Sequence, residues 1–174
     1  FNKNITFQGA ILSPATGDFP PAGASAPFFL QPGSGAAARL PFLQSRIQFA
    51  DADWFGTKKT GNVGLSGHFG RSRVNVLNSS DNIESIGLAV DWNFPIVPRL
   101  QITGEAFVGR NLGGFQAGIF QGYNTDFAFR SSGGAVTPGG GRAIGTRGGW
   151  TQIGWTLPAL ADRLTAYASI GVDD

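Results

Sequence analysis

Hydrophobic and polar residues alternate along most of this chain. In the run 39–54, one parity carries Leu43, Ile47 and Phe49 and the other carries Gln44, Arg46 and Gln48. A period of two residues is typical of a β-strand with one apolar and one polar face. Helical periodicity is nearly absent, so the chain is predicted to consist of strands and loops. The pattern leaves open which of the two faces points inward.

The alternation recurs in about seven runs, which predicts an all-β, antiparallel fold. The predicted strands cover residues 4–12, 39–52, 61–75, 84–94, 100–110, 147–157 and 163–173. Short turns alternate with other connections, of which the longest lie near 13–38 and 111–146. Short turns at one end and longer loops at the other are typical of an up-and-down meander in a membrane. The whole of 1–174 is predicted to be a single unit of this kind.

Composition narrows the environment of this sheet. Charged residues make up 14% of the chain, and 15 residues are Phe, whereas an ordinary soluble domain is about 25% charged. No run approaches the roughly 18 to 20 apolar residues of a transmembrane helix. A closed β-barrel is the other structure that can span lipid, so the sequence predicts a transmembrane β-barrel. The net charge of +2 argues against a nucleic-acid partner.

The strand count points to a segment of a larger barrel. Bacterial single-chain barrels have even numbers of strands, whereas about seven are predicted here. The chain also lacks Met and begins and ends inside predicted strands. We therefore expect further strands beyond this sequence.

The polar parity is expected to line a water-filled lumen. Its residues are mostly small and uncharged, whereas a solvated soluble sheet carries many Lys and Glu residues. The predicted pore-lining residues are Gln44, Arg46, Gln48, Asp91, Gln101, Thr103, Glu105 and Gln152. Opposed charges among them would set a transverse field that orients and filters hydrated solutes. The alternative for these residues is polar packing with no role in transport.

Two sets of residues on the apolar parity are expected to mark the edges of a lipid-facing band. An aromatic interface girdle is predicted next to the short, periplasmic turns, at Trp92, Phe94 and Trp155. Basic residues at the opposite strand ends form an outer rim, at Arg71, Arg73, Arg110 and Arg147. Each Arg would cost about 2 to 4 kcal/mol at the bilayer midplane and far less at the interface. The rim would therefore meet lipid phosphates or water.

The long loop near 111–146 contains aromatic residues that are too apolar for a freely solvated loop. The candidates singled out are Phe115, Phe120 and Tyr123. Part of this loop is predicted to fold into the barrel mouth as a constriction, or to pack at a subunit interface.

Candidate catalytic chemistry is sparse. His68 is the only His and shares the polar parity with Ser66, but a lipid-hydrolysing pair on a barrel would have to point outward. Residues two apart on one strand face are a common coincidence, so no catalytic residue is assigned and no enzyme is expected. One His and dispersed carboxylates do not predict a metal site, and no cofactor is expected.

Three stretches of the chain resemble outer-membrane porins of Gram-negative bacteria, particularly the DcaP-like transporter group. They are QSRIQFADADWFGTKKTGNVGLSGHFGRSR, GEAFVGRNLGGFQAGIFQGYN and RGGWTQIGWTLPALADRLTAYASIGVDD. The GGWTQIGW run, followed by a Pro-containing turn and another alternating strand, is similar to a porin hairpin. The resemblance implies a homotrimeric diffusion channel for small hydrophilic or anionic solutes, embedded in outer-membrane lipids. The chain departs from a complete porin in having no signal sequence, no terminal strand ending in an aromatic, and too few strands.

The predicted function is passive diffusion of small hydrophilic solutes through an outer-membrane porin. The alternative is a secreted soluble β-sandwich or an adhesin-type binding module, in which the Leu, Ile and Val parity forms a dry core. A requirement for detergent to stay monodisperse separates the two.

Overall fold

Seven antiparallel strands form one sheet in a computed structural model of the chain. The structure describes residues 4–13, 35, 38–76, 79–113, 122–124, 130–132, 135–137, 141–158 and 163–174. Strands that follow one another along the chain are neighbours in this sheet, which confirms the predicted all-β, antiparallel meander. In the part of the chain described, no helix is long and apolar enough to cross a membrane.

The strands follow the alternating runs closely. In chain order they are β1 (Ile5–Leu12), β2 (Phe42–Asp51), β3 (Gly61–Val76), β4 (Ser79–Val97), β5 (Leu100–Arg110), β6 (Tyr123–Asn124), β7 (Arg130–Ser132), β8 (Ala135–Thr137), β9 (Arg142–Ala143), β10 (Gly145–Thr156) and β11 (Thr165–Asp173). The order in the main sheet is β1-β2-β3-β4-β5-β10-β11. The short strands pair separately, β6 with β9 and β7 with β8, in a stretch that was predicted only as a loop. Most of the predicted loop near 13–38 lies outside the described residues.

Strand β4 begins earlier than the alternation predicts. It starts at Ser79, because its first residues pair with the end of β3, with Asn82 opposite Arg73. The stretch 78–82, predicted as a connection, therefore belongs largely to a strand. These residues are uniformly polar and give no period-two signal, so the pairing partner decides their structure.

The register keeps each residue parity on one side of the sheet. Leu65 of β3 lies opposite Ile47 of β2 and Val90 of β4. Directly opposite residues of an antiparallel pair point to the same face, so both faces continue across all seven strands. We call the face that carries Leu65 the outer face and the face that carries Arg46 the inner face.

The outer face is apolar and exposed. Leu65 is 53% exposed and Leu88 is 57% exposed. The buried hydrophobic side chains among the described residues are Phe42, Ile83 and Leu112. Phe42 and Ile83 lie on the inner face, and Leu112 packs against inner-face glycines. A soluble antiparallel sheet buries its apolar face, so the burial in this sheet is the reverse of the usual pattern.

The sheet curls around its inner face. One cavity of about 970 Å³ touches all seven strands, from Gln8 on β1 to Asp173 on β11. Strands β1 and β11 are the edges, and each pairs with a single neighbour within the described residues. The described strands therefore form a curled, open sheet with a concave polar face.

Candidate functional site

The residues predicted to line a pore all lie on the inner face and all are partly buried. They are Gln44, Arg46, Gln48, Asp91, Gln101, Thr103, Glu105 and Gln152. Three of them, Gln44, Arg46 and Glu105, line the cavity. Their shared face follows from the alternation, because the register stays in phase from strand to strand.

One row of directly opposite residues crosses the whole inner face. From β1 to β11 it contains Thr6, Gln48, Gly64, Asp91, Glu105, Trp150 and Gly171. Two carboxylates, those of Asp91 and Glu105, are thus direct neighbours near the middle of the sheet. Like charges placed directly opposite each other destabilise a sheet, so this row requires a nearby cation.

Arg46 supplies that cation from the adjacent row. Its Nε donates a hydrogen bond to Asp91 Oδ2 at 3.2 Å, and Nη2 forms an ion pair with Asp91 Oδ1. Its Nη1 donates to Gln48 Oε1. The guanidinium therefore holds Asp91 with two parallel hydrogen bonds, the strong geometry for an arginine and a carboxylate. The two side chains are 27% and 30% exposed, so water reaches the pair.

Gly64 makes room for this ion pair. It lies between Arg46 and Asp91 on the intervening strand β3, opposite Asp91 on one side and Gln48 on the other. A Cβ at this position would lie 2.5 Å from both Arg46 Nη2 and Asp91 Oδ2, which is closer than real Cβ contacts. The alternation identified Gly64 only as a small residue on the polar parity. Its role depends on the register, which brings two distant charged residues to either side of it.

Glu105 has no cationic neighbour of this kind. Its carboxylate makes no hydrogen bond or ion pair with the described residues, although it is partly buried and lines the cavity. Its direct neighbours in the row are Asp91 and Trp150. The centre of the inner face therefore holds one neutralised carboxylate and one that is not neutralised.

A chain of polar contacts lies at the loop end of the inner face. His68 Nε2 lies 2.8 Å from Ser85 Oγ, and the Ser85 hydroxyl donates to the carbonyl oxygen of Asn111 at 2.8 Å. Asn111 Nδ2 donates to Ser72 Oγ at 3.1 Å. Ser72, Ser85 and Asn111 are buried. His68 thus forms a hydrogen bond with Ser85. Among the described residues, no hydrogen bond joins His68 to Ser66, the pair considered in the sequence.

Asn111 turns the chain inward at the end of β5. Its φ of 54° lies in the left-handed region, which Asn tolerates better than most residues. The next residue, Leu112, is buried and lines the cavity. It packs over Gly87 and Gly109, where a Cβ on Gly109 would lie 2.6 Å from Leu112 Cδ1. The start of the long loop near 111–146 therefore folds onto the inner face.

Two further segments join this inward turn. Asn111 N donates to the carbonyl of Ile144 at 3.0 Å, and Ile144 N donates to the carbonyl of Gly122 at 3.0 Å. Of the constriction candidates, Tyr123 lies in β6, opposite Ala143 of β9, and is partly buried. The other two candidates lie outside the described residues, namely Phe115 and Phe120.

The predicted girdle residues lie at the turn end of the outer face. They are Trp92, Phe94 and Trp155. Trp54, from the 3-10 turn Trp54–Gly56, joins them by stacking on Phe94, with ring centroids 5.3 Å apart and an interplanar angle of 18°. The sequence pattern missed Trp54 because a turn residue has no strand parity. The available signal for Trp54 was its position, three residues after the end of a strand and just before a Lys-containing turn.

The four predicted rim arginines lie at the opposite end of the outer face. They are Arg71, Arg73, Arg110 and Arg147. Arg110 forms an ion pair with Glu84 at 2.5 Å, and Arg147 forms one with Asp174 at 3.3 Å. The outer face thus has charges at its loop end, aromatic rings at its turn end, and aliphatic side chains between them.

Known proteins add nothing to this geometry. Comparisons of the chain with protein-family models, with curated proteins and with solved structures find no match. The resemblance to outer-membrane porins therefore stays a prediction. Among the described residues, no group of three or more His, Asp or Glu side chains is placed to hold a metal ion. A functional proposal must therefore rest on the two faces of the sheet.

A double-mutant cycle on Arg46 and Asp91 tests the ion pair across Gly64. We expect Arg46→Ala, Asp91→Ala and the double variant to give a coupling free energy of about 1 kcal/mol, since the pair is bidentate but partly solvated. Urea unfolding followed by Trp fluorescence measures it. The control is a cycle on Arg147 and Asp174, which are 77% and 75% exposed and should show almost no coupling. Equal coupling in the two pairs contradicts the assignment.

Ser85→Ala tests the attachment of the inward turn. Removing the hydroxyl leaves the buried Asn111 carbonyl without its donor, and we expect a loss of about 1 to 3 kcal/mol in the free energy of unfolding. Ser66→Ala is the matched control. Ser66 lies on the inner face of the neighbouring strand β3 and shows no hydrogen bond in the described structure. A loss that is the same for both variants argues against the anchoring role.

Proposed function

We propose that this chain is part of the wall of an outer-membrane β-barrel channel, along whose inner face small hydrophilic solutes diffuse passively. The observation that carries the proposal is the reversed polarity of the sheet. Its apolar face is convex and exposed, while its polar face is concave and partly buried. Lipid around the outer face and water along the inner face satisfy both surfaces at once.

The outer face supports a lipid environment by the order of its residues. Aliphatic side chains such as Leu65 and Leu88 occupy the middle of the strands. Tryptophan and phenylalanine lie at the turn end, where amphipathic rings favour the interface between lipid and water. The arginines lie at the loop end, away from the depth at which a charge costs most. This order is the expected profile of a membrane-spanning strand.

The inner face supports a hydrated path. Its side chains are mainly amides, hydroxyls and glycines, and the cavity of about 970 Å³ that they border has room for many water molecules. The central charges lie in this wall, where opposed charges act on passing solutes. No covalent step is part of the proposal.

The two open edges support further strands. Exposed backbone donors and acceptors on β1 and β11 have no solvent partners in hydrocarbon, where each unsatisfied group costs several kilocalories per mole. In a membrane, each edge must pair with another strand, and we propose that further strands close the barrel. We propose outer-membrane lipids as the surroundings and a homotrimer as the assembly, the latter on the resemblance to porins alone.

A soluble sandwich or adhesin-type module is the competing function. It requires a second layer over the outer face to form a dry core. The outer-face aliphatic side chains described here remain exposed, so this observation favours the membrane channel.

Leu65→Arg tests the lipid-facing assignment in the intact protein. We expect it to make folding into phospholipid vesicles less favourable by about 2 to 4 kcal/mol, the cost of an arginine near the midplane. Ser66→Arg, one residue along the same strand and facing the cavity, should cost much less. Urea titration in vesicles measures both. An intact protein that is monodisperse without detergent and indifferent to Leu65→Arg would show that the outer face does not meet lipid.

Planar-bilayer recording of the intact protein tests the channel itself. Insertion should produce discrete steps of conductance that are carried by small ions, because the inner face offers a continuous polar wall. Vesicle swelling in uncharged sugars is the companion measurement for larger solutes. If folded, inserted protein gives neither conductance nor swelling, the channel proposal is wrong.

A further inference from the structure

We infer that a channel with this wall prefers cations to anions, and that Glu105 is the residue that sets the preference. The inference rests on the proposed function and adds a substrate class to it. It comes from the sign and the pairing of the charges on the inner face, and it differs from the anionic solutes that the resemblance to porins implies.

The inner face of the seven strands is strongly negative. Its acidic residues are Asp81, Asp91, Glu105 and Asp173, against the single arginine Arg46. Four carboxylates and one guanidinium give these strand residues a formal charge of −3, with His68 counted as neutral. The chain as a whole has a formal charge of +2. Positive charge is therefore concentrated elsewhere, partly on the four rim arginines of the outer face.

The one inner-face arginine does not act as a free cation. Arg46 is held by Asp91 through two hydrogen bonds and by Gln48 through a third. A salt-bridged guanidinium and carboxylate together present a dipole with no net charge to a passing ion. Arg46 therefore contributes little attraction for anions while the pair is intact.

Glu105 is left as the charge without an ion-pair partner among the described residues at the centre of the wall. It lies directly opposite Asp91 in the row that crosses the sheet, and its carboxylate faces the cavity without a cationic partner among the described residues. In salt-containing water, a unit charge about 7 Å from an ion changes the local concentration of that ion roughly 1.5-fold, in opposite directions for K⁺ and Cl⁻. This distance is within the Debye length of about 8 Å at physiological salt. The rim arginines lie on the other side of the sheet and at its end, so they do not cancel this effect.

Reversal potentials in planar bilayers test the inference on the intact protein under a KCl gradient. We expect the unsubstituted channel to favour K⁺ over Cl⁻, and Glu105→Gln to lower the permeability ratio by about twofold. The matched control is Glu84→Gln, which removes the same charge from the outer face and should leave the ratio unchanged. Both variants keep the size and shape of the side chain.

Two further variants keep the test decisive if Glu105→Gln folds poorly. Thr103→Glu adds a carboxylate to the inner face two residues along β5 and should raise the preference for K⁺. Arg46→Ala releases Asp91 from its ion pair and should also raise it. The opposite result, a shift toward Cl⁻ after Arg46→Ala together with no response to Thr103→Glu, shows a different source of selectivity.

The outcomes separate this inference from the function on which it rests. Channels that conduct but favour Cl⁻, or that respond equally to Glu105→Gln and Glu84→Gln, overturn the role of Glu105 and leave the channel intact. Folded, inserted protein that does not conduct overturns the channel, and the inference falls with it.

Discussion

An antiparallel register that stays in phase over seven strands is the constraint on which the rest of this structure depends. The pairs that join Ile47 to Leu65 and Leu65 to Val90 fix one parity on the convex side. A slip of one residue in any strand would exchange its polar and apolar side chains between the faces. In the proposed membrane environment, hydrocarbon meets one face and water the other, so such a slip would be costly on both sides. The environment and the register therefore reinforce each other.

The inner face combines two kinds of polar organisation. At its centre, Arg46 neutralises one of two adjacent carboxylates, that of Asp91, by reaching over Gly64 on the intervening strand. At its loop end, the Ser85 hydroxyl donates to the backbone carbonyl of Asn111, the Asn111 side-chain amide donates to Ser72, and Leu112 packs over two glycines. The first arrangement is accessible to water and acts through charge. The second is shielded from water and acts by holding a connecting segment in place.

Alternation along the sequence was sufficient to predict the sheet and the faces, because it depends only on neighbours in the chain. The strand runs, the shared face of the polar residues and the aliphatic character of the opposite face are all confirmed at residues such as Gln48 and Leu65. The partners of individual side chains could not be predicted. The early start of β4, the stacking of Trp54 on Phe94 and the contact of Ser85 with Asn111 join residues that are distant in sequence.

Gly64 shows that the electrostatics of a surface can depend on a residue without charge. Arg46 reaches Asp91 directly over the intervening strand, which presents bare backbone at this point. A side chain there would occupy space that the two charged groups now share, so the pair would have to shift, with the formal charge of the face unchanged. Two sequences with identical charged residues would then present different electric fields to the same solute. A comparison of relatives by their acidic and basic positions alone would overlook this difference.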